Sequence, residues 1–445
     1  MFNCGGMSGI NYSHKIEADI SDIDINHMLY GNFIGLQYVF DITLDAKILK
    51  RAWEFLVAEF MPLRSSYNKK DKSFRPFYGD TFQASETELQ LFEYLKSKNL
   101  DQGRKRFIHE PSRRLVREGQ SALAYLRLTN FQDKGCVIGL SVNHLITDAA
   151  GLQKITCNLC DIYNALARGQ SIPDSKLVAR LPEFVFGKQT NWPETKKELK
   201  RQSLKTPISM RGLQGYFVRL LVNWSMEKIT SQARLHLSLT ADQVKALKTK
   251  VLGESGEDWI STNVALCAHF CAIMIELVNG AKVDKPIRIG QLLDLRNRYF
   301  PAPDGEQGHF VGNAILIHSE RVELTDHSRA NLARFFKQMT GKFTAAFVKD
   351  RMDVIADCLR HGRNYPGLEM VDPLLAVNNQ TKIPFYAIEF LGHKPIHIIP
   401  QDVGDTLMFF PTSDGGVDIY IRDLFHPKRQ AQLETPKWQA RLYDF

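Results

Sequence analysis

The stretch CVIGLSVNHLITDAAGLQKITCNLCDIYNAL (residues 136–166) carries the clearest structural signal in the chain. Residues 136–145 are mostly apolar, which predicts a buried strand. The polar turn TDAAG follows, and the apolar spacing then changes to that of a helix. A turn between a strand and a helix is a common place for a functional side chain, because connecting segments are carried by the rigid elements on either side.

Two titratable residues, His144 and Asp148, lie four positions apart at this turn. An imidazole has an ordinary pKa of about 6.5, which suits a general base near neutral pH. An aspartate at this spacing can hold the ring or the local backbone through charge-assisted hydrogen bonds. Chance produces such a spacing about once in a chain of this composition, so the pair by itself also fits a purely structural histidine.

Two cysteines on the predicted helix, Cys157 and Cys160, have a spacing that is also found in zinc and redox sites. No second Cys or His pair at zinc spacing accompanies them, so we predict buried thiols and no metal site. The chain has seven cysteines, an odd number spread over its length. We therefore expect no disulfide framework and a reducing compartment, the cytoplasm.

The first residues and the longest apolar stretch predict neither export nor membrane insertion. The first ten residues, MFNCGGMSGI, contain no basic segment followed by an apolar run, so no secretory signal is expected. The longest apolar stretch, residues 264–278, is interrupted by His269 and Glu276 and is too short to span a bilayer. No membrane partner is expected.

The rest of the chain predicts an α/β protein of two similar-sized domains, as its 445 residues suggest. FIGLQYVFDI (33–42) and RLHLSLT (234–240) are typical of strands, and LDAKILKRAWEFLVAEF (44–60) is typical of a helix. Thr240 and Gln243 have the form of a capping box. The Lys- and Arg-rich segment 186–212 lacks apolar periodicity, which predicts a linker between domains 1–185 and 213–445.

The net charge of +8 comes from 57 Lys and Arg against 49 Asp and Glu. Such an excess suits nucleic acid, a membrane surface or a phosphate-bearing ligand. No helix-turn-helix, zinc-finger, RRM or KH signature is visible, and the basic residues cluster in the linker. A nucleic-acid partner is therefore not expected, although the lysines alone would fit either nucleic acid or a phosphate-bearing ligand.

Four segments together resemble the BAHD branch of the coenzyme-A-dependent acyltransferases, and they occur in the order that the family shows. They are SVNHLITDAAGLQKI (141–155), STNVALCAHFCA (261–272), DLRNRYFPAPDGEQGHFVGNAI (294–315), and KIPFYAIEFLGHKPIHI with GGVDIYIRDL (382–398 and 415–424). The resemblance implies a chloramphenicol-acetyltransferase-like fold, with two domains of mixed β-sheet and flanking helices. It also implies an active-site channel at the domain interface and a monomeric enzyme of secondary metabolism.

The resemblance also implies a role for each residue of the turn. His144 would be the general base that activates a hydroxyl or amine for attack on an acyl-CoA thioester, with no acyl-enzyme. Asp148 would point away from the pocket and form a bidentate pair with an arginine, Arg296 in the first place and Arg298 in the second. His393 is a less favoured candidate base.

Acyl-CoA is the expected co-substrate, and no permanently bound cofactor is expected. Lys382 would face the acceptor, although it also fits an ordinary exposed lysine. The residues expected to contact the phosphates of the coenzyme are Ser261, Thr262, Lys197, Lys200 and Arg201.

Two other functions stay open beside an acyl-CoA-dependent O- or N-acyltransferase. A condensation-domain-like enzyme would use a carrier-protein thioester and would favour paired histidines, whereas Asn143 precedes His144 here. A catalytically silent binding protein on the same scaffold would need neither a carrier protein nor paired histidines. No obligate protein partner is evident from the sequence.

Overall fold

A computed structural model of the chain describes most of its length, in thirteen ranges. These are residues 32–68, 73–96, 106–175, 177–178, 186–204, 235–279, 287–296, 299, 309–322, 326–363, 374–400, 406–421 and 431–445. Within them the chain forms two large mixed β-sheets with flanking helices and one small two-stranded sheet, which confirms the predicted α/β class.

The strands and helices alternate along the chain. The strands are β1 (Phe33–Phe40), β2 (Ser65–Asn68), β3 (Ser73–Pro76), β4 (Phe82–Thr87), β5 (Ala124–Phe131), β6 (Cys136–Asn143), β7 (Leu235–Leu239), β8 (Ile287–Asp294), β9 (Ile315–Val322), β10 (Leu374–Asn379), β11 (His397–Pro400), β12 (Thr406–Pro411) and β13 (Val417–Ile421). The helices are α1 (Ala46–Glu59), α2 (Leu91–Lys96), α3 (Arg113–Arg117), α4 (Ala149–Ala167), α5 (Trp192–Arg201), α6 (Ala241–Ser255), α7 (Thr262–Asn279), α8 (Arg329–Gly341), α9 (Ala345–Arg360) and α10 (Pro436–Leu442).

The first sheet has the strand order β11-β1-β6-β5-β4. Strand β6 is at its centre and is buried along its whole length, which is why it is apolar without alternation. Helices α1 and α4 pack against each other beside this sheet. The predicted succession of strand, turn and helix in residues 136–166 is confirmed, and β6 delivers its last residue to the edge where α4 begins.

The second sheet has the strand order β7-β13-β12-β10-β8-β9, with β10 parallel to both β12 and β8. Its core includes α7, which is apolar on nearly every side because it is enclosed by protein. No helix in the described ranges is both long and apolar enough to cross a membrane. Thr240 and Gln243 form the predicted capping box of α6.

Strand β11 comes from the C-terminal part of the chain but belongs to the first sheet, where it pairs antiparallel with β1. Its Ile398 and Ile399 are buried there. The physical reason is that β1 would otherwise expose a row of backbone hydrogen-bonding groups at an open edge.

The segment predicted as a linker contains a helix, α5, at residues 192–201. Asn191 and Glu194 form a capping box at its start. Leu199 packs against Val354 and Cys358 of α9. Arg201 and Gln202 add hydrogen bonds to Asp350 of α9, so this helix forms without an apolar period of its own. Residues 205–212 of the predicted linker lie outside the described residues.

The cysteines that the structure describes are all unpaired, as expected for buried thiols. Burial raises the pKa of Cys157 to about 11 and raises that of Cys160 still further above its ordinary value. A thiol with a raised pKa is a poor nucleophile and a poor metal ligand at neutral pH. The two residues therefore serve the packing of α4.

Candidate active site

The turn between β6 and α4 is shaped by Asn143, the last residue of the strand. Its side-chain oxygen accepts a hydrogen bond from the backbone N–H of Leu145 at 2.9 Å, and its carbonyl accepts one from Ile146 at 2.9 Å. An asparagine stabilises a tight turn in this way because its side chain imitates a backbone acceptor. The result is a rigid turn that presents His144.

The ring of His144 has a defined tautomer. Its Nδ1 lies 3.1 Å from the carbonyl oxygen of Thr147, and a carbonyl can only accept, so Nδ1 carries the proton of the neutral ring. Nε2 then holds the lone pair. Burial lowers the pKa of His144, and this effect outweighs the opposing influence of the Asp148 carboxylate, the Thr147 carbonyl and the Asn313 side chain. The ring is therefore neutral and basic at Nε2 near pH 7.

Asp148 does not contact the ring of His144; it caps α4 and anchors the turn from behind. Its carboxylate accepts hydrogen bonds from the backbone N–H of Gly151 at 3.0 Å and from that of Ala314 at 2.9 Å. It also accepts from Arg296, which lies on the segment after β8. The side chains of the two residues are 4% and 3% exposed, so this is a buried ion pair.

The pair between Asp148 and Arg296 differs in geometry from the predicted bidentate fork. A single nitrogen of Arg296, Nη2, donates to both carboxylate oxygens at 2.9 Å each, while Nη1 donates to Asp294 at 3.0 Å. Nη2 also donates to the carbonyl of Gly312. The guanidinium lies over the ring of Phe310, 5.1 Å from its centre, so it is shared between several acceptors. Arg298, the second candidate, lies outside the described residues.

Residues 311–314, just before β9, hold the whole turn from the side of the second sheet. Thr147 donates its hydroxyl to the carbonyl of Val311 at 2.6 Å, and Asn313 donates its amide to the carbonyl of His144 at 2.7 Å. Together with the contact of Ala314 to Asp148, these bonds fix the backbone on both sides of the histidine. The candidate base is thus presented by one sheet and locked by the other.

Gly151 allows this close approach. A Cβ on Gly151 would lie 2.0 Å from the carbonyl oxygen of Val311 and 2.2 Å from the hydroxyl of Thr147. Neither neighbour can move away without breaking a hydrogen bond to the turn. A glycine is therefore required at the first turn of α4 by space alone.

The start of α7 and the turn before residue 385 are tied together by polar side chains. Asn379 donates to the side chain of Asn263 at 2.6 Å, and Thr381 donates its hydroxyl to Asn379 at 2.7 Å. Gln153 of α4 donates to the carbonyl of Pro384 at 2.8 Å, which brings this turn to the helix that follows the histidine. These bonds join the start of α7, which carries Ser261 and Thr262, to the turn that carries Lys382, and join that turn to the first half of α4.

Ser261, Thr262 and Lys382 differ in whether their side chains are already engaged within the protein. The hydroxyl oxygen of Ser261 accepts from the backbone N–H of Val264 at 3.1 Å and so caps α7. Thr262 and Lys382 are exposed. Their side chains can therefore meet a ligand without giving up a contact that holds the fold.

The predicted cations of residues 186–212 are distributed over α5, on the side of α9. Lys197 and Lys200 are exposed. Arg201 donates to Glu198 and to Asp350, and Lys188 also pairs with Asp350 at 3.5 Å. The hydrogen bonds that Arg201 donates to these two carboxylates raise its pKa. Arg201 is therefore engaged within the protein, whereas both lysines face solvent.

Sequence reasoning did not single out Thr147 and Asn313, which the structure places in contact with His144. Both occur within the segments that carry the family resemblance. The available signal for their contact with His144 was that each is a polar residue next to an apolar run. His393, the less favoured base, is exposed and pairs with Asp41 at 3.3 Å. Within the described part of the chain, no three His, Cys, Asp or Glu side chains are grouped in a way that could bind a metal ion.

Comparison with known proteins places this chain among transferases. The family model described as the transferase family matches residues 79–424, which is more than half of the chain.

Three solved structures share the fold. The structure of F. sporotrichioides TRI101 complexed with coenzyme A and T-2 has a TM-score of 0.67 at 13% identity, over 94% of this chain and 97% of that chain. Vinorine synthase has a TM-score of 0.64 at 14% identity, over 93% and 90% of the two chains. The first condensation domain of the calcium-dependent antibiotic synthetase has a TM-score of 0.60 at 14% identity, over 95% and 92%. At these identities the similarity establishes a common architecture alone.

Proposed function

Because the chain belongs to the transferase family and resembles the BAHD-type coenzyme-A-dependent acyltransferases, we propose that it is an acyltransferase. It moves an acyl group from acyl-CoA to a hydroxyl or amine of a small-molecule acceptor. The observation that carries the proposal is the ring of His144, whose Nδ1 donates to the Thr147 carbonyl so that Nε2 is basic. The complex of TRI101 with coenzyme A and T-2 supports the same class of donor and acceptor.

In the proposed reaction His144 acts as the general base. Its Nε2 accepts the proton of the acceptor hydroxyl or amine while the freed electron pair attacks the thioester carbonyl. The C–S bond of the resulting tetrahedral oxyanion then breaks, and the coenzyme leaves as a thiolate that takes the proton back from His144. No serine or cysteine nucleophile takes part, so no acyl-enzyme is formed.

Asp148 and Arg296 act as positioning residues in this proposal. Asp148 does not touch the ring, but it caps α4 and binds the backbone of Ala314, next to the amide that holds His144. Arg296 holds the carboxylate in one orientation in a buried place. Loss of either residue would displace the turn and with it the direction of Nε2.

The phosphates of the coenzyme are assigned to the exposed cations and to the start of α7. Lys197 and Lys200 supply positive charge, and Ser261 and Thr262 lie where a helix N-terminus favours an anion. Arg201 contributes less to this binding, because Glu198 and Asp350 already occupy its guanidinium. Lys382 is assigned to the acceptor side, since its turn adjoins α4 through Gln153.

The test combines the full chain with acetyl-, malonyl- and aromatic acyl-CoAs and a panel of small alcohols and amines. Free thiol release is followed with a thiol reagent, and acylated products are identified by mass spectrometry. Hydroxylamine cleaves an ester but not an amide, so it separates O- from N-acylation. His144→Ala should lower the rate roughly 100-fold or more.

The matched control is His393→Ala, which removes an exposed histidine that pairs only with Asp41 among the described residues. It should leave thiol release unchanged. Calorimetry should show that coenzyme A binds both the wild-type protein and the His144→Ala variant. If coenzyme A does not bind the wild-type protein, the proposal is wrong.

The same experiment separates the two rival functions. A condensation-domain-like enzyme has the same fold, as the comparison with the antibiotic synthetase domain illustrates. It would release no thiol from acyl-CoA but would use an acylated carrier protein. A silent binding protein would bind coenzyme A, and its background rate of thiol release would not change with His144→Ala.

A further inference from the structure

A pocket of about 470 Å³ lies at the outer edge of the second sheet, where β8 begins and β9 ends. Its volume is typical of sites for small organic ligands rather than for single ions. Its charged lining is strongly biased toward one sign. It consists of the cations Arg288, Arg321, Lys342 and Arg351 and the carboxylate of Glu320.

Two of these arginines form an unfavourable pair in the sheet. Arg288 of β8 and Arg321 of β9 are directly opposite each other in the antiparallel register, and like charges in this arrangement destabilise a sheet. Neither side chain forms an ion pair with any residue in the ranges that the structure describes. The Nε atom of Arg288 is buried without a hydrogen-bond partner, and its Nη1 has only a long contact of 3.4 Å to Ser319.

The one carboxylate of the lining is already engaged. Glu320 accepts hydrogen bonds from Lys342 at 2.9 Å and from His318 at 3.0 Å. Although burial opposes its ionisation, these contacts lower the pKa of Glu320 to about 2. The carboxylate of Glu320 is thus already paired with Lys342 and His318. Arg288 and Arg321 therefore face the pocket without a counter-ion among the described residues.

This pocket is separate from the turn that carries His144. Arg288 and Asp294 lie at opposite ends of β8, and six residues of strand span roughly 20 Å. Asp294 is the residue that contacts Arg296 at the histidine turn. No residue of the first sheet lines the pocket, but residues 202–204, which follow α5, do line it, so competition with coenzyme A is part of the test.

We propose that this pocket is a second ligand site, which binds a small molecule carrying two or more phosphate groups between Arg288 and Arg321. A guanidinium presents a planar fork of donors that matches phosphate oxygens, and two of them held opposite each other match a diphosphate. The ligand supplies the counter-charge that the arginine pair lacks. The inference does not depend on the acyl transfer proposed above.

The experiment is a calorimetric titration of the full chain with inorganic pyrophosphate and with ADP at constant ionic strength. Each should bind with one-to-one stoichiometry. Arg288→Gln and Arg321→Gln should each weaken pyrophosphate binding about 10-fold or more, and Arg288→Lys should weaken it less than Arg288→Gln. The matched control is Lys245→Gln, which removes one positive charge from an exposed position of α6 and should leave binding unchanged.

Thermal unfolding without ligand distinguishes a binding role from a structural one. Because Arg288→Gln removes a like-charge contact, the Tm of this variant should equal or exceed that of the wild-type protein. A lower Tm with unchanged pyrophosphate affinity would show that the arginines serve only the fold.

Competition decides whether the site is separate. His144→Ala should bind pyrophosphate like the wild-type protein, and saturating coenzyme A should not displace it. Displacement by coenzyme A would make the pocket part of the donor site and overturn the proposal. Absence of pyrophosphate binding, or equal binding of citrate, would overturn the assignment to phosphate groups.

Discussion

The Cα atom of Gly151 lies so close to Val311 that a Cβ would stand 2.0 Å from the carbonyl oxygen of Val311. Gly151→Ala should therefore push α4 away from residues 311–314. We expect the free energy of unfolding to fall by about 1–3 kcal/mol, as for other overpacked sites, and thiol release to fall because the turn of His144 moves. Urea unfolding and the acyl-CoA assay measure the two effects.

Gly253→Ala is the control for that substitution. Gly253 lies inside α6, and a Cβ there would meet no atom within 4 Å. Alanine should stabilise the helix by about 0.5–1 kcal/mol and leave the rate unchanged. Equal effects of the two substitutions would contradict the steric argument.

The buried pair of Asp148 and Arg296 should behave as one unit. Asp148→Asn and Arg296→Gln should each lower the free energy of unfolding by about 3–5 kcal/mol, because each leaves its partner buried and unpaired. The double variant should lose clearly less than the sum of the two. Chemical denaturation of all four proteins gives the coupling energy, and strict additivity would refute the pairing.

An exposed ion pair gives the reference for this cycle. Arg114 and Glu118 lie 2.9 Å apart with side chains that are 83% and 40% exposed. Arg114→Gln should change the free energy of unfolding by no more than about 0.5 kcal/mol. If the free energy of unfolding fell equally for Arg114→Gln and Arg296→Gln, burial would not determine the cost of breaking an ion pair.

The rate of acyl transfer should depend on pH through His144. Burial lowers the pKa of His144 below 6.5, so the neutral ring that acts as base persists to slightly acidic pH. We expect kcat/KM to be level between pH 7 and pH 8 and to fall only below a midpoint under about 6.5. A midpoint above pH 7 would show that another group is the base.

Acid stability should depend on His269. Its Nε2 donates to the carbonyl of Leu442 at 3.1 Å, and its Nδ1 accepts from Arg329 at 3.3 Å, so the folded protein holds a neutral ring. Burial lowers the pKa of His269 to about 4. Since the unfolded chain binds the proton near pH 6.5, the free energy of unfolding should fall by up to about 3 kcal/mol between pH 6.5 and pH 4.

The variant His269→Gln should flatten that part of the stability curve, because the glutamine cannot take up a proton. His393→Gln, at the exposed histidine, should leave the curve as it is. Urea midpoints measured in steps from pH 7.5 to pH 4 test both. If His269→Gln keeps the wild-type slope, other groups cause the loss.

The lysines of α5 should act on donor binding alone. Replacing Lys197 and Lys200 by glutamine together should raise KM for acyl-CoA several-fold at low salt and leave kcat unchanged, because both charges act through the phosphates. The effect should shrink at 0.5 M salt. Arg201→Gln should change KM less, since Glu198 and Asp350 already engage Arg201. A larger effect at Arg201 would reverse the assignment.

The sequence was most informative where one local signal determined the structure. Strand β6 and helix α4 have strong and different apolar periods, and the capping box at Thr240 needs only four residues. The contact between Asp148 and Arg296, by contrast, was expected from family resemblance, since nothing in their spacing predicts it. Its geometry, with one nitrogen on both oxygens, depends on Asp294 and Gly312 competing for the same guanidinium.

Long-range contacts account for what the sequence could not predict. Residues 311–314 reach the histidine turn across more than 160 positions, and no local pattern marks Thr147 or Asn313 as their partners. Helix α5 was hidden because it is held by a small apolar cluster and by polar contacts with α9, which is distant in the sequence. The pairing of β11 with β1 likewise needs an open edge that only the folded first sheet creates.

The pairing of β11 with β1 also bears on how the protein folds during translation. A ribosome releases residues 33–40 early and residues 397–400 only near the end of synthesis, so the first sheet waits with an uncovered strand while most of the chain is still being translated. An uncovered strand invites pairing with other nascent chains. We therefore expect chains that are truncated before residue 397 to leave β1 without its partner strand.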